Sequence, residues 1–203
     1  MVERQLRARG IRDERVLDAM GRVPRELFVP EPLRRRAYAD TALPIGAGQT
    51  ISQPYVVAAM CELLGLQGDE RVLDVGTGSG YAAAVLAELA ASVVTIERLP
   101  ELAERAAAAL AAAGHPEVEV RVGGRPLGAP DRAPFDAVAV SAAAPKVPEA
   151  LYEQLVEGGR LVVPRGTRVE QHLVLVERGP AGPVVVRSIP CRFVPLVGAG
   201  GFP

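Results

Sequence analysis

Apolar and polar positions divide most of the chain into short strand-like runs and longer stretches of helical spacing. Strands are predicted at the short apolar runs, residues 71–75, 92–96, 118–122, 135–140 and 161–163. Helices are predicted where apolar residues recur at helical spacing, residues 80–90, 100–113 and 148–155. Strands that alternate with helices predict βαβ units and a mainly parallel sheet. Because the strand runs are almost wholly apolar, we expect helices on both faces of that sheet.

The last part of the chain departs from this alternation. Residues 172–177 and 184–186 have the pattern of strands, and only a turn rich in Gly and Pro, 179–183, lies between them. A connection that short cannot hold a crossover helix. We therefore expect the final strands to pair antiparallel, as a C-terminal addition to an otherwise parallel α/β sheet.

The first part of the chain is predicted to be a helical extension followed by a loop. Asp13 is placed to cap a short amphipathic helix. Residues 40–54 are rich in Gly, Pro, Ser and Thr, and a loop of that length inside a compact domain is more often functional than idle. Ser52 is expected to be the N-cap of the next helix, with Pro54 in its first turn and Gly65 at its end.

Length and composition indicate one folded domain. The chain has 203 residues, of which 49% are hydrophobic and 23% charged, so it can bury a sizeable core. No linker divides it, and we expect one domain over residues 1–203. Its parts are an N-terminal extension with the active-site loop (1–53), a cofactor-binding core (54–165) and C-terminal strands that form the substrate cleft (166–203).

The net charge, the lengths of the apolar runs and the positions of the Cys and His residues argue against several classes of function. The formal net charge of -1 gives no strong attraction to nucleic acid or to an anionic membrane. No apolar run approaches the roughly 20 residues of a membrane span, and the charged N-terminus does not resemble a secretory signal. Cys61 and Cys191 lie far apart, and His115 and His172 lack partners at ligand spacing, so no metal is expected. We expect a cytoplasmic monomer without nucleic-acid or membrane partners.

The sharpest motif is the glycine loop, which runs from Asp74 to Gly80, follows a predicted strand and opens a helix. It does not match the dinucleotide fingerprint G-x-G-x-x-G from Gly76, because the last position is Tyr81. A match that starts at Gly78 lies too far into the helix. The pattern acid-x-Gly-x-Gly-x-Gly is instead typical of Rossmann-like methyltransferases. In such sites the acid helps to hold the ligand's ammonium group, directly or through water, and backbone amides receive its carboxylate.

Glu97 adds a second signal for the same kind of ligand. It ends the strand after the glycine loop, about twenty residues beyond the loop, where an acid binds ribose hydroxyls. Dinucleotide-binding proteins and methyltransferases share this feature. Glu97 therefore supports a ribose-bearing cofactor without choosing between the two classes.

Short sequence motifs outside the glycine loop resemble those of a known protein family. The most specific is Leu-Pro-Ile-Gly-Ala-Gly-Gln-Thr-Ile-Ser-Gln-Pro at residues 43–54. Further matching strings lie at residues 95–98, 134–137, 142–145, 158–161 and 192–198. With these strings the chain resembles the protein-L-isoaspartate O-methyltransferase family over nearly its whole length. The resemblance implies a Rossmann-like class I methyltransferase that uses S-adenosyl-L-methionine to methylate isoaspartyl residues in damaged proteins and peptides, which initiates repair through a succinimide.

The resemblance also implies roles for individual residues. Ser52 is expected to be the active-site residue, and Val194, Pro195 and Leu196 are expected to border the substrate together with it. The residues expected to bind the cofactor are Thr50, Ile51, Ser52, Gln53, Asp74, Gly76, Thr77, Gly78, Ser79, Gly80, Glu97, Arg98 and Gly124.

One departure from the family pattern concerns the nucleobase. Where the family usually has Asp-Gly after the third strand, with the aspartate on the adenine amine, this chain has Gly124 and Arg125. The lost hydrogen bond is worth about 0.5–1.5 kcal/mol, or up to roughly tenfold in affinity. Asp131, in the following loop, is an alternative acid for this contact.

Three hypotheses therefore stay open at this point. The chain is a repair methyltransferase for isoaspartyl sites, a carboxyl methyltransferase with one dedicated aspartate-containing peptide, or a non-catalytic relative that kept the fold. The missing acid slightly favours the second and third. Methyl transfer to an isoaspartyl peptide and to its aspartyl twin distinguishes them.

Overall fold

The computed structural model describes residues 1–197 and 200–202, with backbone alone at Arg187 and Ser188. Gly198, the last residue of the C-terminal family string, lies outside the described residues. The helices are α1 (Glu14–Arg22), α2 (Pro54–Leu64), α3 (Tyr81–Ala87), α4 (Pro100–Ala112) and α5 (Glu149–Tyr152). The strands are β1 (Leu43–Gly46), β2 (Gln49–Ile51), β3 (Arg71–Val75), β4 (Ser92–Glu97), β5 (Glu119–Val122), β6 (Phe135–Val140), β7 (Leu155–Gly166), β8 (Gln171–Gly179) and β9 (Gly182–Cys191).

The central sheet has the order β5-β4-β3-β6-β7-β8-β9. Strands β3 to β7 pair in parallel, whereas β8 and β9 continue the sheet antiparallel. The chain leaves β3 toward β4 on one side and later returns to β6 on the other. The carboxyl ends of β3 and β6 therefore form a topological switch point, where ligands bind in open α/β sheets. The predicted fold class, including the antiparallel C-terminal strands, is confirmed.

Two hydrophobic cores cover the two faces of this sheet. On one face, residues of α1 to α4 pack against side chains such as Val72, Ala137 and Val162. On the other, α5 and the segment around Leu127 pack against the alternate side chains, such as Leu73 and Val138. This alternation is the expected result of a side-chain period of two within each strand.

The segment 40–54 is more ordered than predicted. Instead of a loop it holds an antiparallel hairpin, β1 with β2, that turns at Ala47 and Gly48 with positive φ at both. The hairpin has a period-two pattern, because Leu43, Ile45 and Ile51 are buried. Gly and Pro residues obscure that pattern in the sequence, so the loop prediction was wrong here.

The start of α2 also differs from the prediction. The N-cap position belongs to Gln53, and no side chain caps the helix. Ser52 therefore lies outside the helix and is not its cap. The other capping predictions are confirmed, because Asp13 accepts hydrogen bonds from the amides of Arg15 and Val16, and Gly65 ends α2 in the left-handed conformation.

The third correction concerns β7. The strand predicted at 161–163 begins at Leu155, and the preceding helix is only the single turn α5. The pairing of β6 with β7 shifts from Phe135 opposite Leu155 to Ala137 opposite Arg160. A bulge therefore holds residues 156–159, and its polar sequence hides the strand's true start.

Candidate active site

A cavity of about 230 Å³ opens at the carboxyl ends of β3, β4 and β6, at the topological switch point. The glycine loop forms its floor, the hairpin with Ser52 one wall, and the segment 194–197 another. Thirteen of the predicted site residues line it, namely Thr50, Ile51, Ser52, Gly76, Thr77, Gly78, Ser79, Glu97, Arg98, Gly124, Val194, Pro195 and Leu196.

The glycine loop presents main chain to this cavity because its glycines adopt positive φ and pack closely against their neighbours. Gly76 has a φ of 98°, and a Cβ there would lie 3.4 Å from the Cβ of Ser141. Gly80 has a φ of 90°, and a Cβ there would lie 3.3 Å from atoms of α4. Gly80 thus serves close packing between the loop and α4 and does not line the cavity. Bare backbone between Gly76 and Ser79 suits a ligand that lies directly against amide groups.

Glu97 lies on the cavity wall and is fixed by the glycine loop itself. Its Oε2 accepts a hydrogen bond of 2.8 Å from the amide of Gly78, and its Oε1 accepts one of 3.0 Å from the amide of Leu99. Each carboxylate oxygen keeps a free lone pair after these bonds. An oriented acceptor pair of this kind suits two neighbouring hydroxyl groups, as on a ribose.

Asp74 lies beneath the loop, not on the cavity surface. It is completely buried, and its Oδ2 accepts a hydrogen bond of 2.7 Å from the hydroxyl of Thr95, which is in turn 2.6 Å from the hydroxyl of Thr77. Burial raises the pKa of Asp74 to about 6. Oδ1 has no hydrogen-bond partner among the described residues. This geometry gives Asp74 a supporting place under the loop, and its contact with a ligand's ammonium through water stays a prediction.

The far end of the cavity is formed by Arg98, Leu99, Gly123, Gly124 and Leu127. The amide of Gly123 donates a 2.9 Å hydrogen bond to the carbonyl of Glu97, and a Cβ on Gly123 would lie 2.6 Å from Ile96. At Gly124 there is more room, since the nearest atom to an added Cβ is the Arg98 Cγ at 3.9 Å.

The alternative acid, Asp131, does not reach this end of the cavity. Its carboxylate accepts a 3.0 Å hydrogen bond from Arg121, and this bond holds the pKa of Asp131 below its usual value. Asp131 is not among the lining residues. The adenine end therefore offers main chain and apolar surface, and the carboxylate usual in the family is absent from the described lining.

Ser52 and the C-terminal segment face the glycine loop across the cavity. The segment is fixed by two hydrogen bonds, because Ala143 donates its amide to the carbonyl of Val194 and Leu196 donates its amide to the carbonyl of Ala143. Ser52 is half-buried, and its hydroxyl makes no hydrogen bond with any residue that the structure describes. A hydroxyl in that position is free to donate to a ligand.

The cavity also contains residues that the sequence did not indicate, and one predicted residue lies away from it. Ser141 and Ala142 follow β6, whose end at the switch point was a usable signal for them. Tyr81 and Val197 lie within strings that the sequence analysis considered, but neither was assigned a role in the site. Gln53 is at the start of α2 and does not line the cavity.

Comparison with known proteins identifies the family of the chain. The model of the family described as protein-L-isoaspartate(D-aspartate) O-methyltransferase matches residues 1–201. The chain belongs to this family. It is 57% identical over 202 residues to protein-L-isoaspartate O-methyltransferase 1 of Syntrophobacter fumaroxidans, covering 100% of this chain and 94% of that protein. It is 56% identical over 203 residues to the enzyme of Methanoculleus marisnigri, covering 100% of this chain and 92% of that protein.

Solved structures of the family agree with this assignment. A protein-L-isoaspartate O-methyltransferase structure superposes with a TM-score of 0.87 at 30% identity, covering 99% of this chain and 67% of that chain. A structure from Plasmodium falciparum, solved with S-adenosyl-L-homocysteine, superposes with a TM-score of 0.82 at 25% identity and covers 95% of both chains. The protein is thus a methyltransferase of the isoaspartate repair family, and its cofactor is S-adenosyl-L-methionine. Among the described helices, none is long and apolar enough to cross a membrane.

The residues present fit that cofactor. Glu97 offers paired acceptors for the sugar, the loop from Gly76 to Ser79 offers main chain for the amino-acid end, and Leu99 and Leu127 offer apolar surface for the base.

Proposed function

We propose that Ser52 orients the free carboxylate of an isoaspartyl residue for methylation by donating a hydrogen bond to it. The observation that carries this proposal is the Ser52 hydroxyl on the cavity wall opposite the glycine loop, which makes no hydrogen bond with any described residue. One donor fixes the direction of a carboxylate oxygen without neutralising it. Val194, Pro195 and Leu196 border the same opening and are proposed to contact the peptide around that residue.

The residues proposed to bind the cofactor form three groups, one for each part of the cofactor. Glu97 holds the sugar, Gly76 to Ser79 receive the amino-acid end, and Arg98 with Gly124 lies by the base. Thr50 and Ile51 cover the cofactor, whereas Gln53, Asp74 and Gly80 support the site from outside the cavity. When bound, S-adenosyl-L-methionine supplies an electrophilic methyl group to the substrate's carboxylate oxygen.

The site needs no general base for this chemistry. An α-type carboxylate has a pKa of about 3.3–3.7 and is ionised at neutral pH, so it is already a nucleophile. No His or Lys is found among the described residues that line the cavity. The residues therefore act by orienting the carboxylate and excluding water. The methyl ester then closes to a succinimide with loss of methanol, and hydrolysis of that ring returns some normal aspartate without the enzyme.

Broad repair, not a dedicated peptide, is the substrate range that the lining supports. Among the described residues, the charged side chains that line the cavity are Glu97 and Arg98, and both lie at its cofactor end. The walls near Ser52 are small, polar or apolar. Such walls do not discriminate strongly between charged neighbours of the isoaspartyl residue.

A peptide panel tests this range. Each isoaspartyl peptide, with acidic, basic or apolar neighbours, is paired with its normal aspartyl twin. We expect kcat/KM values within about tenfold of one another for the isoaspartyl peptides, which is under 1.4 kcal/mol, and no methylation of the twins. Methylation of a single sequence, or of an aspartyl peptide, supports the dedicated enzyme instead. Methylation of none, with S-adenosyl-L-homocysteine still bound, contradicts the proposal.

We propose further that the chain acts as one cytoplasmic domain and as a monomer, without nucleic acid or membrane as partner. The proposed division is an extension with active-site loop (1–53), a cofactor core (54–165) and C-terminal strands (166–203). Its two cysteines are free thiols, which suits a reducing compartment. Light scattering after size-exclusion chromatography tests the monomer, and a dimer mass would contradict it.

A further inference from the structure

Arg25 is a completely buried guanidinium next to the active site. It belongs to a short 3₁₀ turn, Arg25–Phe28, of the N-terminal extension. No carboxylate of the described residues forms a salt bridge with it. Burying a charge without an opposite charge is costly, so such a residue needs strong compensating contacts.

Those contacts come from main chain and an aromatic ring. The Arg25 Nε donates a 2.7 Å hydrogen bond to the carbonyl of Ala37, and its Nη2 donates one of 2.7 Å to the carbonyl of Ser52. Its Cζ lies 4.5 Å from the centre of the Tyr81 ring, within range of a cation–π contact. Its Nη1 is buried and has no hydrogen-bond partner among the described residues.

The two carbonyls lie at the two ends of the segment that carries the hairpin. Arg25 thus clamps the base of that segment, with Ala37 before it and Ser52 after it. Tyr81 begins α3, directly after the glycine loop. Since Ser52 and Tyr81 both line the cavity, one buried cation contacts the substrate wall and the cofactor floor together.

We propose that Arg25 is a positioning residue that fixes Ser52 through its carbonyl and places a positive charge behind the site of the substrate carboxylate. The proposal rests on the proposed function, because it assumes that the carboxylate meets Ser52. The guanidinium of arginine stays protonated in proteins, so its charge is permanent. In a buried site of lower dielectric than water, that charge attracts a carboxylate more strongly than it does in solvent.

A role in packing alone makes a different prediction from a role in charge. If Arg25 only packs, its loss lowers stability and affects a neutral and an anionic peptide alike. If its charge acts on the substrate, its loss weakens the anionic peptide specifically. The informative quantity is therefore the ratio of the affinity for the anionic peptide to the affinity for the neutral peptide. A structural change that weakens both affinities equally leaves this ratio unchanged.

The experiment compares an isoaspartyl peptide with the same peptide in which the free carboxylate is an amide. Both are titrated into the protein saturated with S-adenosyl-L-homocysteine, for the wild type, Arg25→Gln, Arg25→Met and Arg25→Lys. We expect the wild type to prefer the acid and the Gln and Met variants to lose about fivefold or more of that preference. Arg25→Lys, which keeps the charge, should stay within about twofold of wild type near pH 7.

Phe28→Leu is the matched control. Phe28 lies in the same turn and packs edge-on against the same Tyr81 ring, with centroids 5.6 Å apart, but its side chain carries neither a charge nor a hydrogen-bond donor for the Ser52 carbonyl. It should lower the melting temperature and leave the acid-to-amide ratio unchanged. An unchanged ratio in folded Arg25→Gln, or an equal loss in Phe28→Leu, overturns the proposal.

If Arg25→Gln and Arg25→Met do not fold, the Arg25→Lys variant still tests the proposal. A buried lysine loses its proton more readily than a solvated one, so the preference for the acid should fall from about pH 7 to about pH 9.5 in this variant and stay flat in wild type. The ionisable groups that interact with Arg25 are Tyr38, Tyr81 and Asp40. Burial raises the pKa of Tyr38 to about 12, and that of Tyr81 is also raised, so neither tyrosine titrates in this range. A flat profile in the lysine variant contradicts the proposal.

Failure here is distinguishable from failure of the proposed function. If Arg25 has no such role, the wild type still methylates isoaspartyl peptides. If the proposed function is wrong, the wild type methylates none of them.

Discussion

The cofactor side and the substrate side of this cavity are built by different means. The cofactor side consists of residues at the ends of two neighbouring strands, Gly76 to Ser79 after β3 and Glu97 at the end of β4. Hydrogen bonds between the loop and β4 hold them together. The substrate side brings together segments from opposite ends of the chain, the hairpin with Ser52 and residues 194–197. A local site of the first kind tolerates little variation in geometry. A site of the second kind depends on tertiary clamps such as Arg25.

Because of this difference, we expect a substitution on one side to impair the function of that side and to leave the other side intact. Damage to the cofactor side should appear in the affinity for S-adenosyl-L-homocysteine, and damage to the substrate side in turnover or peptide affinity. Three of the four changes below test that separation, and the change at Asp74 tests the buried acid beneath the cofactor side; they are given from the largest expected effect to the smallest.

Glu97→Ala should weaken S-adenosyl-L-homocysteine binding by tenfold to about a hundredfold. The expected loss is that of hydrogen bonds to a charged group, about 1.5–3 kcal/mol. Calorimetric titration measures it, and Glu101→Ala, at an exposed position in the first turn of α4, is the control. Affinity unchanged within twofold would remove Glu97 from the cofactor site.

Ser52→Ala should lower kcat by about threefold to tenfold and leave S-adenosyl-L-homocysteine affinity nearly unchanged. The reason is the loss of one hydrogen bond, about 0.5–1.5 kcal/mol, to the reacting carboxylate. Steady-state methyl transfer and calorimetry measure the two quantities. Equal losses in both would show that the two sides are not separate.

Asp74 should make stability depend on pH. Because its folded pKa is raised from 3.8 to about 6, the folded state binds the proton more tightly, and this contribution is lost as pH rises from about 4 through about 6. Urea unfolding should therefore show wild type losing about 1 kcal/mol relative to Asp74→Asn between about pH 5 and about pH 7.5. A parallel pH dependence in the two proteins would contradict the raised pKa.

Gly124→Asp should tighten S-adenosyl-L-homocysteine by about threefold, near the lower end of a hydrogen bond's net worth. An added Cβ meets only the Arg98 Cγ at 3.9 Å, so the site has room for the side chain. The control is Gly21→Asp, since Gly21 lies exposed in α1, has no positive φ and does not line the cavity. If Gly124→Asp does not tighten binding, the missing acid is not a defect of this site.

The same difference explains how much the sequence could predict. The cofactor side was predictable because its geometry is local: a strand, a tight turn at Gly76 and an acid one strand later at Glu97 specify the ligand type. The parallel sheet followed equally from short apolar runs. Asp74 and Gly80 were predicted to bind the cofactor, but Asp74 lies buried in β3 and Gly80 packs against α4, and no local pattern shows that they support the loop from outside the cavity.

The substrate side was predictable only through the family strings. Nothing local separates Ser52 from a helix cap, and the hairpin's period-two pattern is broken by Pro44 and Gly46. Arg25 gave no signal at all, because its role depends on carbonyls 12 and 27 residues away in sequence. Long-range clamps of that kind have no spacing that a pattern can detect.

Transfer of radioactive methyl groups from S-adenosyl-L-methionine to an isoaspartyl peptide, compared with its aspartyl twin, tests the central claim most directly. The account predicts base-labile methyl incorporation into the isoaspartyl peptide alone, inhibited by S-adenosyl-L-homocysteine. Incorporation into neither peptide, by a protein that still binds S-adenosyl-L-homocysteine, would contradict it.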